Sequence, residues 1–278
     1  MIVLKYAILI CGMVFMFFPF FVQNKLYYPS KQPFFMDLNY EDVYLHADDG
    51  IRLNAWYSPP KGKDITILFC HGNGGNVSFY KEIFITLQEK GYGVMAIDYR
   101  GYGKSEGKPN EKGLYADARA AVKYLKEEKN TSTEDVVLWG FSLGGAVAAQ
   151  IASENYGFKG VILQSAFTNI RNIASNVIHR AYFGVKSDYR SMFSHKLILF
   201  LPVFEEFDTI NKIHKIKSPL LIAHAEADNL IPVQMSRELG KINPKTQVFT
   251  SKKGGHNDYD WFYPRLFSFL NSLEKVKS

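Results

Sequence analysis

Short runs of apolar residues recur along this 278-residue chain, and the stretches between them are mostly polar. The first two runs, Glu41–Ala47 and Ile51–Tyr57, flank the turn Asp48-Asp49-Gly50, which predicts an antiparallel hairpin. The later runs read as buried strands that alternate with helical segments. This alternation predicts an α/β fold with a mostly parallel sheet of about eight strands flanked by helices. The later strands are expected near Ile65, Val94, Val136, Val161, Leu220 and Gln247.

The N-terminal segment differs from these short apolar runs in its length, because residues 6–22 form one uncharged stretch between Lys5 and Lys25. A membrane-spanning helix needs about 17–25 residues, and no small-residue cleavage site precedes Lys25. We therefore expect residues 1–23 to be an uncleaved single-pass membrane anchor, with interfacial insertion as the alternative, and residues 24–278 to form the folded domain. Lysines flank the stretch on both sides, so the positive-inside rule discriminates weakly, and we expect the domain outside the cytoplasm.

One motif points to chemistry: Gly140-Phe141-Ser142-Leu143-Gly144 has the pattern G-x-S-x-G. A predicted strand, Val136–Trp139, precedes it, and a run of small apolar residues typical of a tightly packed helix, 145–152, follows. A strand, a sharp turn and a helix expose a serine hydroxyl on a strained bend. Ser142 is therefore the candidate nucleophile.

A serine hydroxyl is a weak nucleophile at neutral pH, so it needs a base that a carboxylate orients. Asp228 follows the predicted strand that ends at His224, and His256 follows the last predicted strand in a glycine-preceded loop. Both lie beyond the carboxyl ends of strands, where open α/β sheets hold their ligands. We expect Asp228 as the acid and His256 as the base, with Glu226 as the second candidate acid.

A glycine-rich turn, His71–Asn76, follows the strand near Ile65 and could direct backbone N–H groups at a developing oxyanion. We expect the two donors to be the backbone amides of Asn73 and Leu143, the latter directly after the candidate nucleophile. No G-K-[ST] follows the turn, which excludes a P-loop. His71 is expected to brace the turn through hydrogen bonds.

Composition narrows the classes of function. The formal net charge is +6, but the lysine-rich stretches are short or mixed with glutamates, so no nucleic-acid partner is expected. The two cysteines predict no disulfide framework, and Cys70 is expected to be an inert core residue. The histidines outside the candidate site lack metal-ligand spacing, so we expect neither a metal nor a cofactor. The length suits one α/β domain, and we expect a monomer.

Five segments carry a family resemblance: Asn24–Ser30, His71–Asn76, Asp98–Ser105, Gly140–Gly145 and Gly255–Asp258. They resemble the α/β-hydrolase superfamily and, within it, the membrane-anchored α/β-hydrolase-domain serine hydrolases, a group that includes protein depalmitoylases and serine aminopeptidase-like hydrolases. The resemblance implies the α/β-hydrolase fold and maps the family's nucleophile, acid and base onto Ser142, Asp228 and His256.

The segment from about residue 170 to 213 matches no motif of the family and is expected to form a short helical lid. Its aromatic residues either pack the lid onto the domain or line an acyl-binding pocket.

The sequence thus predicts a serine hydrolase that cleaves carboxylic ester or thioester bonds through an acyl-serine intermediate. The expected substrate is a small acyl ester, a lipid or an acylated protein. A serine aminopeptidase-like amide hydrolase and an acyltransferase would use the same residues and stay open. A catalytically silent, membrane-tethered interaction protein is the alternative outside the enzymes.

Overall fold

The computed structural model describes residues 26–32, 39–174 and 205–274. Eight of the strands in these ranges form one sheet, in the spatial order β10-β9-β8-β7-β4-β6-β3-β2, and the other two, β1 and β5, pair with each other. In chain order the strands are β1 (Tyr28–Pro29), β2 (Glu41–His46), β3 (Arg52–Ser58), β4 (Thr66–Cys70), β5 (Gly74–Gly75), β6 (Gly93–Asp98), β7 (Val136–Phe141), β8 (Gly160–Gln164), β9 (Leu220–Ala225) and β10 (Thr246–Ser251).

Helices cover both faces of the large sheet. Two of them contribute apolar side chains to the core on one face, and three contribute to the core on the other. The first pair is α1 (Lys81–Glu89) and α5 (Tyr263–Glu274), and the second group is α2 (Glu111–Glu127), α3 (Leu143–Ala152) and α4 (Val233–Ile242).

This layering explains the hydrophobic pattern of the sequence. Every residue of β4, β6, β7, β8 and β9 is buried, because each of these strands has helices above and below it. The edge strand β2 has a helix layer on one side only, and its later residues alternate between buried and exposed.

The predicted architecture is confirmed. β2 and β3 form the expected antiparallel hairpin, with Glu41 opposite Tyr57 and His46 opposite Arg52. β3 also runs antiparallel to β6, and the remaining pairs of the large sheet are parallel. The six later strands lie where the apolar runs placed them.

The strand order brings the loops of interest together. β4 lies directly between β6 and β7, and β9 lies between β8 and β10. The segments that follow β4, β7, β9 and β10 all leave the sheet at its carboxyl edge, which is where parallel α/β sheets carry their sites.

Two predicted features fall outside the described residues: the stretch 6–22, expected as the membrane anchor, and 175–204, most of the expected lid. Within the described ranges, no helix combines the length and apolarity needed to span a bilayer.

Candidate active site

Ser142 lies on a strained turn between β7 and α3. Its backbone has φ +54° and ψ −115°, a region that costs a non-glycine residue on the order of 1–3 kcal/mol. The turn is held because the Ser142 N–H donates to the carbonyl oxygen of Gln164 at the end of β8, at 2.9 Å. Strain of this kind, held by the surrounding sheet, is typical of a nucleophile elbow.

The glycines on either side of Ser142 make the turn possible. A Cβ on Gly144 would lie 1.9 Å from the carbonyl oxygen of Cys70, and a Cβ on Gly140 would lie 2.2 Å from the carbonyl oxygen of Gly144. No side chain fits at either position without moving backbone. The G-x-S-x-G pattern is therefore a packing requirement of α3 against β4 and β7.

Ser142, His256 and Asp228 form one chain of hydrogen bonds. His256 Nδ1 lies 2.7 Å from Asp228 Oδ2, and His256 Nε2 lies 3.2 Å from Ser142 Oγ. Because a carboxylate can only accept, Nδ1 carries the hydrogen, and Nε2 is left to accept the hydroxyl proton of Ser142. The three side chains are largely enclosed, each residue being 7–8 % exposed.

The carboxyl group of Asp228 is held as an anion. Its Oδ1 accepts the backbone N–H groups of Leu230 and Ile231, both at 2.8 Å, and its Oδ2 contacts His224 Nε2 at 3.1 Å as well as His256. Burial alone would raise the pKa of Asp228, but the hydrogen bonds from His224 and His256 outweigh it and hold the pKa well below its usual range.

His224 is a second imidazole on the same carboxylate. Its Nε2 also lies 3.0 Å from the carbonyl oxygen of Ile231, and since both neighbours are acceptors, Nε2 carries a hydrogen. Its Nδ1 lies 2.7 Å from Ser236 Oγ. The sequence pattern placed His224 only at the end of a strand and did not predict its contact with Asp228; the available signal was its position four residues before Asp228.

The other carboxylates near His256 are engaged elsewhere. Glu226 pairs with Arg237 at 2.9 Å and accepts from Thr250 Oγ1 at 3.1 Å. Asp258 accepts the backbone N–H of Gly255 at 2.7 Å. Of the two acids that the sequence left open, Asp228 is the one that contacts the imidazole.

The two predicted oxyanion donors belong to segments that touch. Gly144 packs against the carbonyl groups of Cys70 and His71, so the start of α3, where Leu143 lies, rests on the base of the glycine-rich turn that holds Asn73. Among the residues that the structure describes, neither the Leu143 nor the Asn73 backbone N–H donates to another protein group. Their role as oxyanion donors stays a prediction.

His71 lies buried behind this turn. Its Nδ1 donates to the carbonyl oxygen of Gly72 at 2.7 Å, and its Nε2 lies 3.6 Å from Asp98 Oδ1. Burial lowers the pKa of His71 to about 4 and raises the pKa of Asp98 to about 7. The imidazole is therefore neutral at neutral pH and acts as the bracing group that the sequence predicts. The rings around it are those of Tyr80, Tyr99 and Tyr102.

The loop after β6 supports the same turn. The Tyr102 hydroxyl lies 2.9 Å from both the carbonyl oxygen and Oδ1 of Asn73. Arg100 pairs with Asp117 at 2.7 Å, and Ser105 Oγ donates to the Asp98 carbonyl at 2.6 Å. These contacts give the loop a shaping role, and the sequence did not predict the bond from Tyr102 to Asn73. No group of three or more potential metal ligands occurs in the described ranges.

Known proteins share both the sequence and the fold. Sequence models of two families match the chain: serine aminopeptidase S33 over residues 61–192 and the alpha/beta hydrolase fold over residues 179–263. The alpha/beta hydrolase domain-containing protein WAV2 of Arabidopsis thaliana is 35% identical over 232 residues, which are 80% of this chain and 74% of the relative.

Two further likenesses are more distant. Lysophosphatidylserine lipase ABHD12 of Danio rerio is 28% identical over 297 residues, covering 91% of this chain and 74% of the lipase. The Pyrococcus furiosus esterase Pf2001 superposes with a TM-score of 0.69 at 24% identity, covering 90% of this chain and 98% of the esterase. With the elbow, the sheet order and the similarity to WAV2 together, the chain belongs to the α/β-hydrolase superfamily.

Proposed function

We propose that this protein is a serine hydrolase that cleaves carboxylic ester bonds through an acyl-serine intermediate. The observation that carries the proposal is the unbroken hydrogen-bond chain from Ser142 Oγ through His256 to Asp228. This chain lies at the carboxyl edge of the sheet, with an ionised acid at its inner end. A serine with a purely structural role does not require a hydrogen bond from its hydroxyl to a base that a carboxylate orients.

In the proposed acylation step, His256 Nε2 accepts the Ser142 proton while Oγ attacks the substrate carbonyl carbon. The imidazole becomes a cation, and the neighbouring Asp228 carboxylate stabilises that cation and fixes its orientation. His256 then protonates the departing alkoxide, and the alcohol leaves.

In the proposed deacylation step, His256 takes a proton from water, which attacks the acyl-serine ester. The protonated imidazole returns the proton to Ser142 Oγ as the acid product departs. In both steps the negative charge on the carbonyl oxygen faces the backbone amides of Asn73 and Leu143, and one such donor is worth about 10²–10³ in kcat.

The proposed substrate class rests on the similar proteins rather than on the geometry of the site. The similar lipase and the similar esterase favour an acyl ester, and a lipid ester suits a domain that follows a membrane anchor at residues 1–23, which we keep as part of the proposal. The partial match to serine aminopeptidases favours an amide as the second candidate. A thioester would react through the same steps.

The test is labelling of the full-length protein with a fluorophosphonate probe, followed by turnover of p-nitrophenyl esters from acetate to palmitate. Ser142→Ala is expected to abolish both labelling and turnover. Ser153→Ala, which changes a serine at the end of the same helix α3, is the matched control and is expected to leave both unchanged.

Other results would point elsewhere. Labelling without ester turnover, but with cleavage of an aminoacyl amide, would favour the second candidate. Folded wild-type protein that takes up no probe would contradict the enzyme reading and favour a non-catalytic binding role.

A further inference from the structure

The seven residues Leu26–Gln32, which we call the N-terminal strap, lie directly on the glycine-rich turn. Tyr28 and Pro29 pair in parallel with Gly74 and Gly75 as β1 and β5. The Ser30 N–H donates to the Gly75 carbonyl at 2.8 Å, which extends this ladder by one residue. The turn is therefore paired with a strand that lies far away in the sequence.

The strap also holds the side chain of Asn73. Asn73 Nδ2 donates to the Leu26 carbonyl oxygen at 2.6 Å, while the Tyr102 hydroxyl lies against Oδ1 from the other side. Both ends of the side-chain amide are thereby occupied. Since the side chain is held from two directions, the plane of the preceding peptide, and with it the direction of the Asn73 N–H, is restricted.

Further bonds fasten the strap to the domain. Lys31 Nζ donates to the Ser105 carbonyl at 2.6 Å, and Tyr27 donates its hydroxyl to Glu205 Oε2 at 2.8 Å. The Ser30 carbonyl accepts the N–H of Gly103 at 2.9 Å. The strap thus joins the turn, the loop after β6 and the C-terminal part of the predicted lid segment.

The turn itself has little rigidity of its own. A Cβ on Gly74 would meet nothing within 4 Å, and Gly75 has a φ of +84°. Glycines give a backbone wide conformational freedom, and at Gly74 there is open space on the side where a Cβ would lie. Hydrogen bonds from other segments therefore help to fix the position of the turn, and the strap supplies several of them.

We propose that the N-terminal strap is a positioning element of the oxyanion site, which holds the Asn73 amide in the direction that the reaction needs. The inference rests on the proposed function. An element that acts only through an oxyanion donor stabilises the transition state and leaves ground-state binding almost unchanged. Disturbing the strap should therefore lower kcat and spare KM.

The test is Ser30→Pro in the full-length protein, because proline removes the N–H that bonds to Gly75. Ser30→Ala is the matched control, since it keeps the N–H and removes only a hydroxyl with local contacts to Gln32. Active sites are counted by end-point fluorophosphonate labelling. We expect Ser30→Pro to lower kcat about tenfold or more, with KM within about twofold.

A second readout separates positioning from a structural effect. A trifluoromethyl ketone adds to the serine and forms an oxyanion, so its affinity should fall by the same factor as kcat in Ser30→Pro and stay at the wild-type value in Ser30→Ala. Equal kcat and equal inhibitor affinity in the two variants would overturn the proposal.

If Ser30→Pro does not fold, as the absence of a cooperative urea transition would reveal, the double variant Tyr27→Phe/Lys31→Ala takes its place. It removes the two side-chain tethers of the strap and is expected to lower kcat and inhibitor affinity together. Wild-type behaviour of this variant would overturn the proposal in the same way. Failure of the wild type itself to label would refute the proposed function instead.

Discussion

At the scale of single residues, Asp228 shows how a buried charge is kept. Four groups face its carboxylate: two backbone N–H groups, from Leu230 and Ile231, and two imidazoles, from His224 and His256. A buried carboxylate without such partners would take up a proton. With these partners it stays charged and can stabilise the imidazolium of the proposed reaction.

Replacing Asp228 by asparagine should leave the shape of the site intact and remove the charge. We expect kcat to fall about 10³–10⁴-fold, because a neutral amide neither fixes the tautomer of His256 nor stabilises its cation. Glu226→Gln, the matched control two residues away, removes only an exposed ion pair and is expected to change kcat by less than about twofold. The measurement is kcat for a p-nitrophenyl ester, and a larger effect of Glu226→Gln would contradict the assignment.

The sequence predicted two of the three candidate catalytic residues more firmly than the third, and the reasons are physical. Ser142 and His256 could be predicted because elbow chemistry and strand ends restrict which residues stand there. The sequence favoured Asp228 over Glu226 as the acid but could not exclude Glu226, since two residues in one loop differ only in the direction of their side chains. That direction depends on contacts such as the one from Arg237 to Glu226, which no local pattern encodes.

At the scale of elements, β7 and α3 meet at a contact between backbones. Gly144 lies so close to the end of β4 that this packing leaves no room for a side chain at position 144. The same contact brings the start of α3 to the base of the glycine-rich turn. One glycine thus links the candidate nucleophile to a candidate oxyanion donor.

Gly144→Ala is expected to destabilise the protein by more than about 3 kcal/mol, because a Cβ 1.9 Å from the Cys70 carbonyl oxygen forces backbone to move. Gly74→Ala is the matched control, since a Cβ there meets nothing within 4 Å; it is expected to change the free energy of unfolding by less than about 1 kcal/mol. Urea denaturation measures both. A Gly144→Ala protein as stable as the control would contradict the packing argument.

The elements that the sequence failed to predict are the short ones. β1 and β5 are two residues each, too short for any periodicity of apolar positions to develop. They form only because the chain returns to itself over more than forty residues, from Tyr28 to Gly74. A long buried strand can be predicted from its run of apolar residues. A two-residue pairing cannot, because it depends on how the rest of the chain folds.

At the scale of the whole molecule, buried ionisable groups make stability depend on pH. The side chain of Asp98 is almost fully enclosed, and burial raises its pKa to about 7. Between about pH 4 and pH 7 the unfolded chain has lost this proton while the folded protein still binds it. Stability contributed by Asp98 therefore falls as the pH rises through this range.

Asp98→Asn should remove this dependence, since an amide does not titrate and its oxygen can still accept the Val77 N–H. We expect the variant to gain stability relative to the wild type as the pH rises from about 4 to about 7, and the difference to level off above that. Urea denaturation across this range measures it, with Asp260→Asn in an exposed loop as the control. A constant difference between Asp98→Asn and wild type would refute the raised pKa.

The strand order also indicates where such a protein can vary in sequence and length. The chain leaves the sheet after Gln164, at the end of β8, and re-enters it at Leu220, the start of β9. β8 separates the strand that precedes Ser142 from the strand that precedes Asp228. The segment that joins β8 to β9 thus starts between the strand of the candidate nucleophile and the strand of the candidate acid, and it contains none of the three candidate catalytic residues. Insertions and replacements in that segment can therefore accumulate without changing the strands that hold the candidate catalytic residues.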